Sequence, residues 1–472
     1  MKNAKNGLSA AQLVMLALGT VIGGSFFLGS SAAINAAGPS IIFVYILGAV
    51  LVYFILFALS EMTVADPAAG SFRTFASRAF GNGTGFVVGW VYWAGMVLGM
   101  SSEATAVSIL LREWIPGISL PLTGSLIIIG VTLVNLMGAQ RLSKLESGLA
   151  AIKVVAIVLF VFIGGLLVIG VFTGKPAVGV GELAAEPLMP GGFGGILGSI
   201  LIIMFAYAGF EIIGLAASET GNPKETVPKA IRNTVIALAG LYIFSIIIIL
   251  PLIPTAQINT QTSPFVAALN RQGFTWAGTA LNLVLITAIL STMLAAIFGL
   301  GRMMRSLASE GMAPGWLKDK SDVPYRGIIG SGVAMLAALW LGLMFPSVYI
   351  FLISSGGFAL LFTYIVIMAT HMRFRRKSGC PPNGKCQLWG FPYTSVFVLA
   401  VLVVAIASMP FVPGQASGLI AGLVLVAFFS GVYLAVRAYR RRSGTRDTVR
   451  MQASLRTEAS EELDAGRKKN RR

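Results

Sequence analysis

Two long apolar stretches of this chain are interrupted by small residues at matching places, and lipid allows few folds to carry such interruptions. The first stretch holds Gly19-Thr20-Val21-Ile22-Gly23-Gly24-Ser25-Phe26-Phe27 in its middle; the sixth holds Phe205-Ala206-Tyr207-Ala208-Gly209-Phe210-Glu211. Glycines weaken a helix. In hydrocarbon a freed N–H or C=O finds no water, so a break survives only where it is buried in protein or lines a cavity. Matching breaks in two halves of a membrane chain point to the binding site of a secondary transporter.

The stretches themselves are long enough to span. The 472 residues are 56% hydrophobic and 11% charged, with a mean hydropathy of +0.83, against about 25% charged in ordinary soluble proteins. A hydrocarbon core about 30 Å thick needs about 20 apolar residues per helix. About twelve stretches qualify, near 10–37, 39–63, 84–111, 121–138, 147–172, 194–219, 228–252, 275–300, 327–345, 347–371, 390–409 and 414–437. They predict one all-α membrane domain over 1–437. Residues 438–472 form a short, highly charged tail for which disorder is expected.

The net charge of +17 raises nucleic acid as a partner, but its placement excludes that reading. With the N-terminus inside and twelve spans, thirty-one of the 35 Lys and Arg residues fall on the cytoplasmic side; only Arg112, Lys175 and Arg271 fall outside, with Lys153 left in the membrane. This asymmetry is the positive-inside pattern and puts both termini in the cytoplasm of a cell-membrane protein. The basic tail offers contact to anionic lipid. Cys380 and Cys386 flank two prolines in an inner loop. Two thiols cannot close a four-ligand zinc site, and the single histidine, His371, is nine residues away, so no metal or cofactor is expected and the cysteines read as reduced thiols.

The breaks lie about 185 residues apart, which fits two five-span halves, about 10–172 and 194–371, followed by an accessory pair at about 390–437. Because five is odd, the halves must be inverted, and the breaks then meet near the midplane. Pro39, Pro121, Pro190 and Pro346 sit at or near span starts, and Pro228 suits the start of span seven. The inner loop Glu61–Phe72, rich in small residues, reads either as a plain turn or as a hinge-like inner gate.

The amides of Gly23, Gly24 and Ser25 open the second half of span one and suit a carboxylate. The carbonyls of Val21 and Ile22, which end the first half, suit a cation, as do those of Phe205, Ala206 and Ala208. N–H groups on one side and carbonyls on the other match an α-amino acid zwitterion; close glycine packing between helices is the alternative. Intramembrane ionisable groups are functional suspects. Lys153 on span five either alternates between charged and neutral forms, standing in for a bound sodium ion, or snorkels to the inner surface. Glu103 on span three and Glu211 at the second break are gating or structural carboxylates. Ser291 and Thr292 on span eight face Lys153 or bond their own helix. Glu219 ends span six and pairs with inner arginines in the gating reading. Phe26, Tyr92, Trp93, Tyr207, Phe210, Met293 and Leu294 are candidate pocket walls, with plain packing the alternative.

Taken together, the runs Gly19–Phe27, Gly38-Pro39-Ser40, Glu61–Ser71, Ala150–Val155, Phe205–Pro228, Gly301–Met304 and Ser309–Pro314 resemble the amino acid–polyamine–organocation superfamily, and most of all its bacterial amino acid transporter family. The resemblance implies a LeuT-like fold of two inverted five-helix repeats plus two helices, and proton-coupled uptake of amino acids. It implies substrate-backbone contacts at Ile22, Gly23, Gly24, Ser25, Phe205, Ala206 and Ala208, with Tyr207 and Phe210 beside them, and a proton-linked role for Lys153. Many members carry Asn-Ser after the serine of the eighth helix; here Ser291 is followed by Thr292-Met293-Leu294. That apolar replacement favours a neutral apolar substrate. Exchange without net proton movement, a cationic amino acid or amine as substrate, and a channel or membrane sensor remain the alternatives. No acid–histidine constellation suggests an enzyme.

Overall fold

A computed structural model describes residues 8–66, 68, 70–171, 176–217, 220–319, 321, 323–380 and 386–442, with the side chains of 139–147, 215 and 440–442 left out. The described residues are mostly helical, with no strand among them. In chain order the helices are α1 (Ala10–Val21), α2 (Gly24–Phe27), α3 (Gly29–Ala37), α4 (Ile41–Ala65), α5 (Ser71–Phe80), α6 (Asn82–Leu111), α7 (Leu120–Asn135), α8 (Ala139–Ile169) and α9 (Gly192–Ala206). After them come α10 (Ile212–Ala216), α11 (Pro223–Leu252), α12 (Pro264–Arg271), α13 (Thr275–Ser309), α14 (Tyr325–Gly342), α15 (Val348–Ser378), α16 (Tyr393–Ser408) and α17 (Ala416–Arg442).

Nine helical segments among the described residues are long and apolar enough to cross a membrane, and α1, α7 and α9 are shorter apolar helices. This is the architecture of a multi-pass membrane protein. The chain divides into two compact units, 1–426 and 427–472. In the second, only 427–442 are described, as the latter part of α17; the predicted basic tail lies almost wholly outside the described residues.

Local chemistry explains the ends. Ser9 caps α1 in a reciprocal box: its hydroxyl accepts from Gln12 N at 3.3 Å while Gln12 Oε1 accepts from Ser9 N at 2.9 Å. Gly38, at φ 62°, turns the chain into a short 3₁₀ segment with Pro39, a conformation glycine adopts without strain. Two expectations change. Span seven begins at Pro223, not Pro228; the latter lies inside α11, where it forgoes one bond close to the exposed first turn. The stretch Glu61–Phe72 is not a plain turn: α4 runs on to Ala65 and α5 begins at Ser71, its Phe72, Phe75 and Ala76 buried at helical spacing. Its counterpart α12 sits in the loop between α11 and α13.

Between membrane helices lipid supplies no hydrophobic drive, so close approach must hold them together. The α6/α15 seam does this with small residues: a Cβ on Gly95 would lie 2.5 Å from Ala359 Cβ, and one on Gly356 would lie 3.0 Å from Gly95 O. Cys380 and Cys386 form a disulfide with a Cα–Cα distance of 5.2 Å, within the span such a bond requires, not the free thiols expected.

Candidate functional site

The first break falls where the glycines predicted. Ile22 (φ −76°, ψ 99°) and Gly23 (φ −143°, ψ −164°) are extended between α1 and α2. Two sets of backbone groups lose their helical partners there, and two buried charges meet them. Lys153 Nζ donates to Gly19 O at 2.7 Å and Ile22 O at 3.0 Å. Glu103 accepts from Gly24 N at 2.6 Å and from Ser25 N at 3.1 Å, one carboxylate oxygen for each.

The cation therefore sits at the carbonyl end of one half-helix and the anion at the amide end of the other, as the helix dipoles favour. Lys153 is 0% exposed and Glu103 2%, so the snorkelling alternative for Lys153 does not hold. An unpartnered buried charge would cost several kcal/mol, whereas each charged hydrogen bond contributes about 1.5–3 kcal/mol. The break and the charges stabilise each other. Thr292 joins them: its Oγ1 accepts from Lys153 Nζ at 3.1 Å and donates to Ile22 O at 2.9 Å. Ser291 does not; its hydroxyl is buried without a hydrogen-bond partner.

The second break is closed by its own glutamate. After α9 the chain turns through 207–211, with Gly209 at φ 106°. Glu211 Oε2 accepts from Gly209 N at 2.9 Å, and Tyr364 OH donates to Oε1. Tyr242 OH donates to Ala206 O at 3.1 Å. Thr20 Oγ1 donates to Gly209 O at 3.2 Å, and a Cβ on Gly209 would lie 3.0 Å from Thr20 O. The two breaks thus touch, and only a glycine fits between them.

Phe26 and Tyr207 are drawn into one aromatic group through Tyr45 and Tyr242. Phe26 stacks on Tyr242 at 3.7 Å, meets Phe265 edge-on, and Tyr207 lies 5.0 Å from Tyr242. Phe210 instead stacks on Tyr364. Met293 and Leu294 pack into a separate cluster with Val97 and Leu339, and Trp93 bonds Ser331; these three are packing residues. Glu219 lies outside the described residues. His371 is held by Glu61, 2.7 Å from Nε2.

Sequence reasoning missed Tyr45, Tyr242, Phe265 and Tyr349, the last donating to Gly24 O at 3.3 Å. Tyr45 and Tyr242 carried a signal, since a phenol hydroxyl in a long apolar helix needs a partner when buried.

The amino acid permease family model matches residues 12–445. A gamma-aminobutyric acid permease of Bacillus subtilis (strain 168) is 32% identical over 435 residues, covering 90% of this chain and 93% of that protein. The amino-acid permease RocC of the same organism is 30% identical over 449 residues, 92% and 96% of the two chains. The aromatic amino acid transport protein AroP of Escherichia coli O157:H7 is 32% identical over 419 residues, 87% and 91%.

Proposed function

The chain belongs to the amino acid permease family, and from that premise we propose that it takes up neutral apolar L-amino acids with protons by alternating access. The family is one of transporters, not enzymes. The observation that carries the proposal is the pair of buried charges at the first break. A zwitterion needs amides for its carboxylate and carbonyls for its ammonium, and Gly24, Ser25, Gly19 and Ile22 present both, now held by Glu103 and Lys153. A substrate carboxylate reaching Gly24 and Ser25 displaces Glu103, and a substrate ammonium takes the carbonyls at Phe205, Ala206 or Ala208, displacing the Tyr242 hydroxyl from Ala206. Phe26, Tyr207 and Phe210 line the side-chain path.

In this reading Lys153 is the coupling residue. Its surroundings change as the break changes partners, and a buried lysine is readily driven to give up its proton. Glu103 and Glu211 are the secondary candidates. The proposal includes a twelve-helix LeuT-like arrangement: repeats at about 10–172 and 194–371, accessory helices at about 390–437, a basic tail at 438–472, and both termini on the cytoplasmic side of the cell membrane. Touching breaks support it, as inverted repeats bring their broken helices together.

One observation favours a second reading. Lys153 Nζ donates to Gly19 O, Ile22 O and Thr292 Oγ1 at 2.7–3.1 Å, a setting that suits a permanently charged ammonium and exchange without net proton movement. The neutral preference rests on Glu211, which is already engaged by Gly209 and Tyr364 and so is not a waiting partner for a cationic side chain. The relatives named for gamma-aminobutyric acid and aromatic amino acids make those compounds necessary members of any test panel. Purified protein in liposomes, given labelled amino acids with and without an inward proton gradient, tests all of this. Gradient-driven accumulation of leucine or valine supports symport. Uptake only when amino acid is preloaded inside selects exchange.

A further inference from the structure

α6 and α13 lie antiparallel. Trp90, near the start of α6, donates to Met312 O just past the end of α13 at 3.0 Å, and Asn282, near the start of α13, donates to Leu110 O at the end of α6 at 3.2 Å. Each of these long helices is preceded by a short one, α5 before α6 and α12 before α13. Each is followed within two residues by a glutamate, Glu113 after α6 and Glu310 after α13. The glutamate past one long helix meets the short helix that precedes the other. Glu310 holds Arg73 of α5 through both carboxylate oxygens, at 2.6 and 2.5 Å. Glu113 lies beside the Asn270 side chain of α12 and takes a hydrogen bond from Asn282 of α13 at 2.7 Å.

The two ends share a plan and differ in strength. At the α5 end a guanidinium 1% exposed is clamped by a bidentate carboxylate and also donates to Ser306 Oγ at 3.0 Å and Met312 Sδ at 3.4 Å. Such planar, charged pairs are the stronger kind of hydrogen bond. At the α12 end the carboxylate meets neutral amides. The α5 end is also built around the arginine. A Cβ on Gly89 would lie 2.7 Å from Arg73 Cδ, so α6 leaves room for the stem, and Ser71, two residues before it, holds a left-handed φ of 44°, a strained backbone that surrounding contacts must maintain.

We infer that the Arg73–Glu310 ion pair is a latch at one end of the α6/α13 pair, with Glu113 and the amides around it as a weaker counterpart at the other end, released one at a time, and that the charged latch keeps the α5 face of the protein closed. The inference rests on the alternating-access reading above. An ion pair made in only one of two conformations biases the equilibrium by its free energy in that state.

The test reads conformation without substrate, so its failure is separable from failure of the transport reading, which the uptake panel decides. In a Cys380→Ser, Cys386→Ser background, Ser25→Cys places a reporter at the break. Its labelling by a membrane-impermeant maleimide is measured from each side of sidedness-sorted proteoliposomes. Arg73→Gln or Glu310→Gln is expected to raise labelling from the α5 face about tenfold and lower it from the α12 face, within the usual range of coupling between states. Glu310→Asp, which keeps the charge on a part-exposed side chain but shortens its reach, is expected to give an intermediate rise and guards against misfolding of the others. Glu113→Gln is expected to raise labelling from the α12 face. The exchanged pair Arg73→Glu with Glu310→Arg is expected to return the rates toward those of the parent. The inference is overturned if monodisperse Glu310→Gln and Glu310→Asp label within about twofold of the parent on both faces, well below a coupling of that size. It is equally overturned if the exchanged pair labels as fast as the single variants, since lost packing and not the ion pair would then explain them.

Discussion

Gly24→Ala puts a methyl group at the most crowded point of the first break. Its Cβ would lie 2.6 Å from Glu103 Oε2, where ordinary contacts begin at 3.4 Å, so the carboxylate must retreat by about 0.8 Å. Glu103 Oε2 now accepts from Gly24 N at 2.6 Å; the same retreat carries that bond out of the 2.7–3.2 Å range typical of N–H···O bonds. The Cβ has little room to shift instead, because Ala106 Cβ and Ile289 Cδ1 each stand 3.2 Å from it. Losing one charge-assisted bond costs about 1.5–3 kcal/mol and leaving the buried amide unsatisfied about 1–3 kcal/mol, so a loss of about 2.5–6 kcal/mol is expected. The measurement is thermal unfolding of purified protein in detergent, paired with liposome uptake. Both should fall clearly, with uptake nearly abolished in Gly24→Val. Gly130→Ala is the control: nothing lies within 4 Å of its Cβ in α7, and stability should hold or rise slightly. A Gly24→Ala protein that melts and transports like its parent would refute the close engagement of Glu103 with this amide.

Three further predictions follow from the same site. Lys153→Ala should lose pH-driven accumulation, about tenfold for one proton per substrate across one pH unit, while counterflow exchange persists; normal concentrative uptake in this variant would transfer coupling to Glu103 or Glu211. Tyr364→Phe removes the hydroxyl that donates to buried Glu211 and should lower stability by about 1.5–3 kcal/mol, with an unchanged melting curve as the contrary result. Amino acid esters and N-acetyl amino acids should compete poorly with the free compounds, and lysine and arginine less well than leucine and valine; stronger competition by the cationic pair would give Glu211 a binding role.

Much of this was legible in residue order. Spans follow from runs of apolar residues, because the bilayer sets one length for every helix. The breaks follow from Gly23-Gly24 and from Gly209, because a glycine weakens a helix wherever it lies in sequence. Lys153 stood out because a lone charge in an apolar run is costly under any packing. The hidden α5 was also readable in principle, from Phe72, Phe75 and Ala76 at helical spacing. What residue order did not contain was the identity of each break's partner. Lipid dictates that the amides of Gly24 and Ser25 be met, yet nothing local names Glu103, 79 positions away from Gly24, or Thr292, 270 positions from Ile22. Many buried side chains carry the right atoms, and only the packing of α6, α8 and α13 around the break decides which of them reach it. The same holds for the side-chain walls. Phe26 and Tyr207 were visible as aromatics near the breaks, but Tyr45, Tyr242 and Phe265 come from other helices. Met293 and Leu294, plausible by position on α13, turn into another cluster because one helix shows different faces to different neighbours.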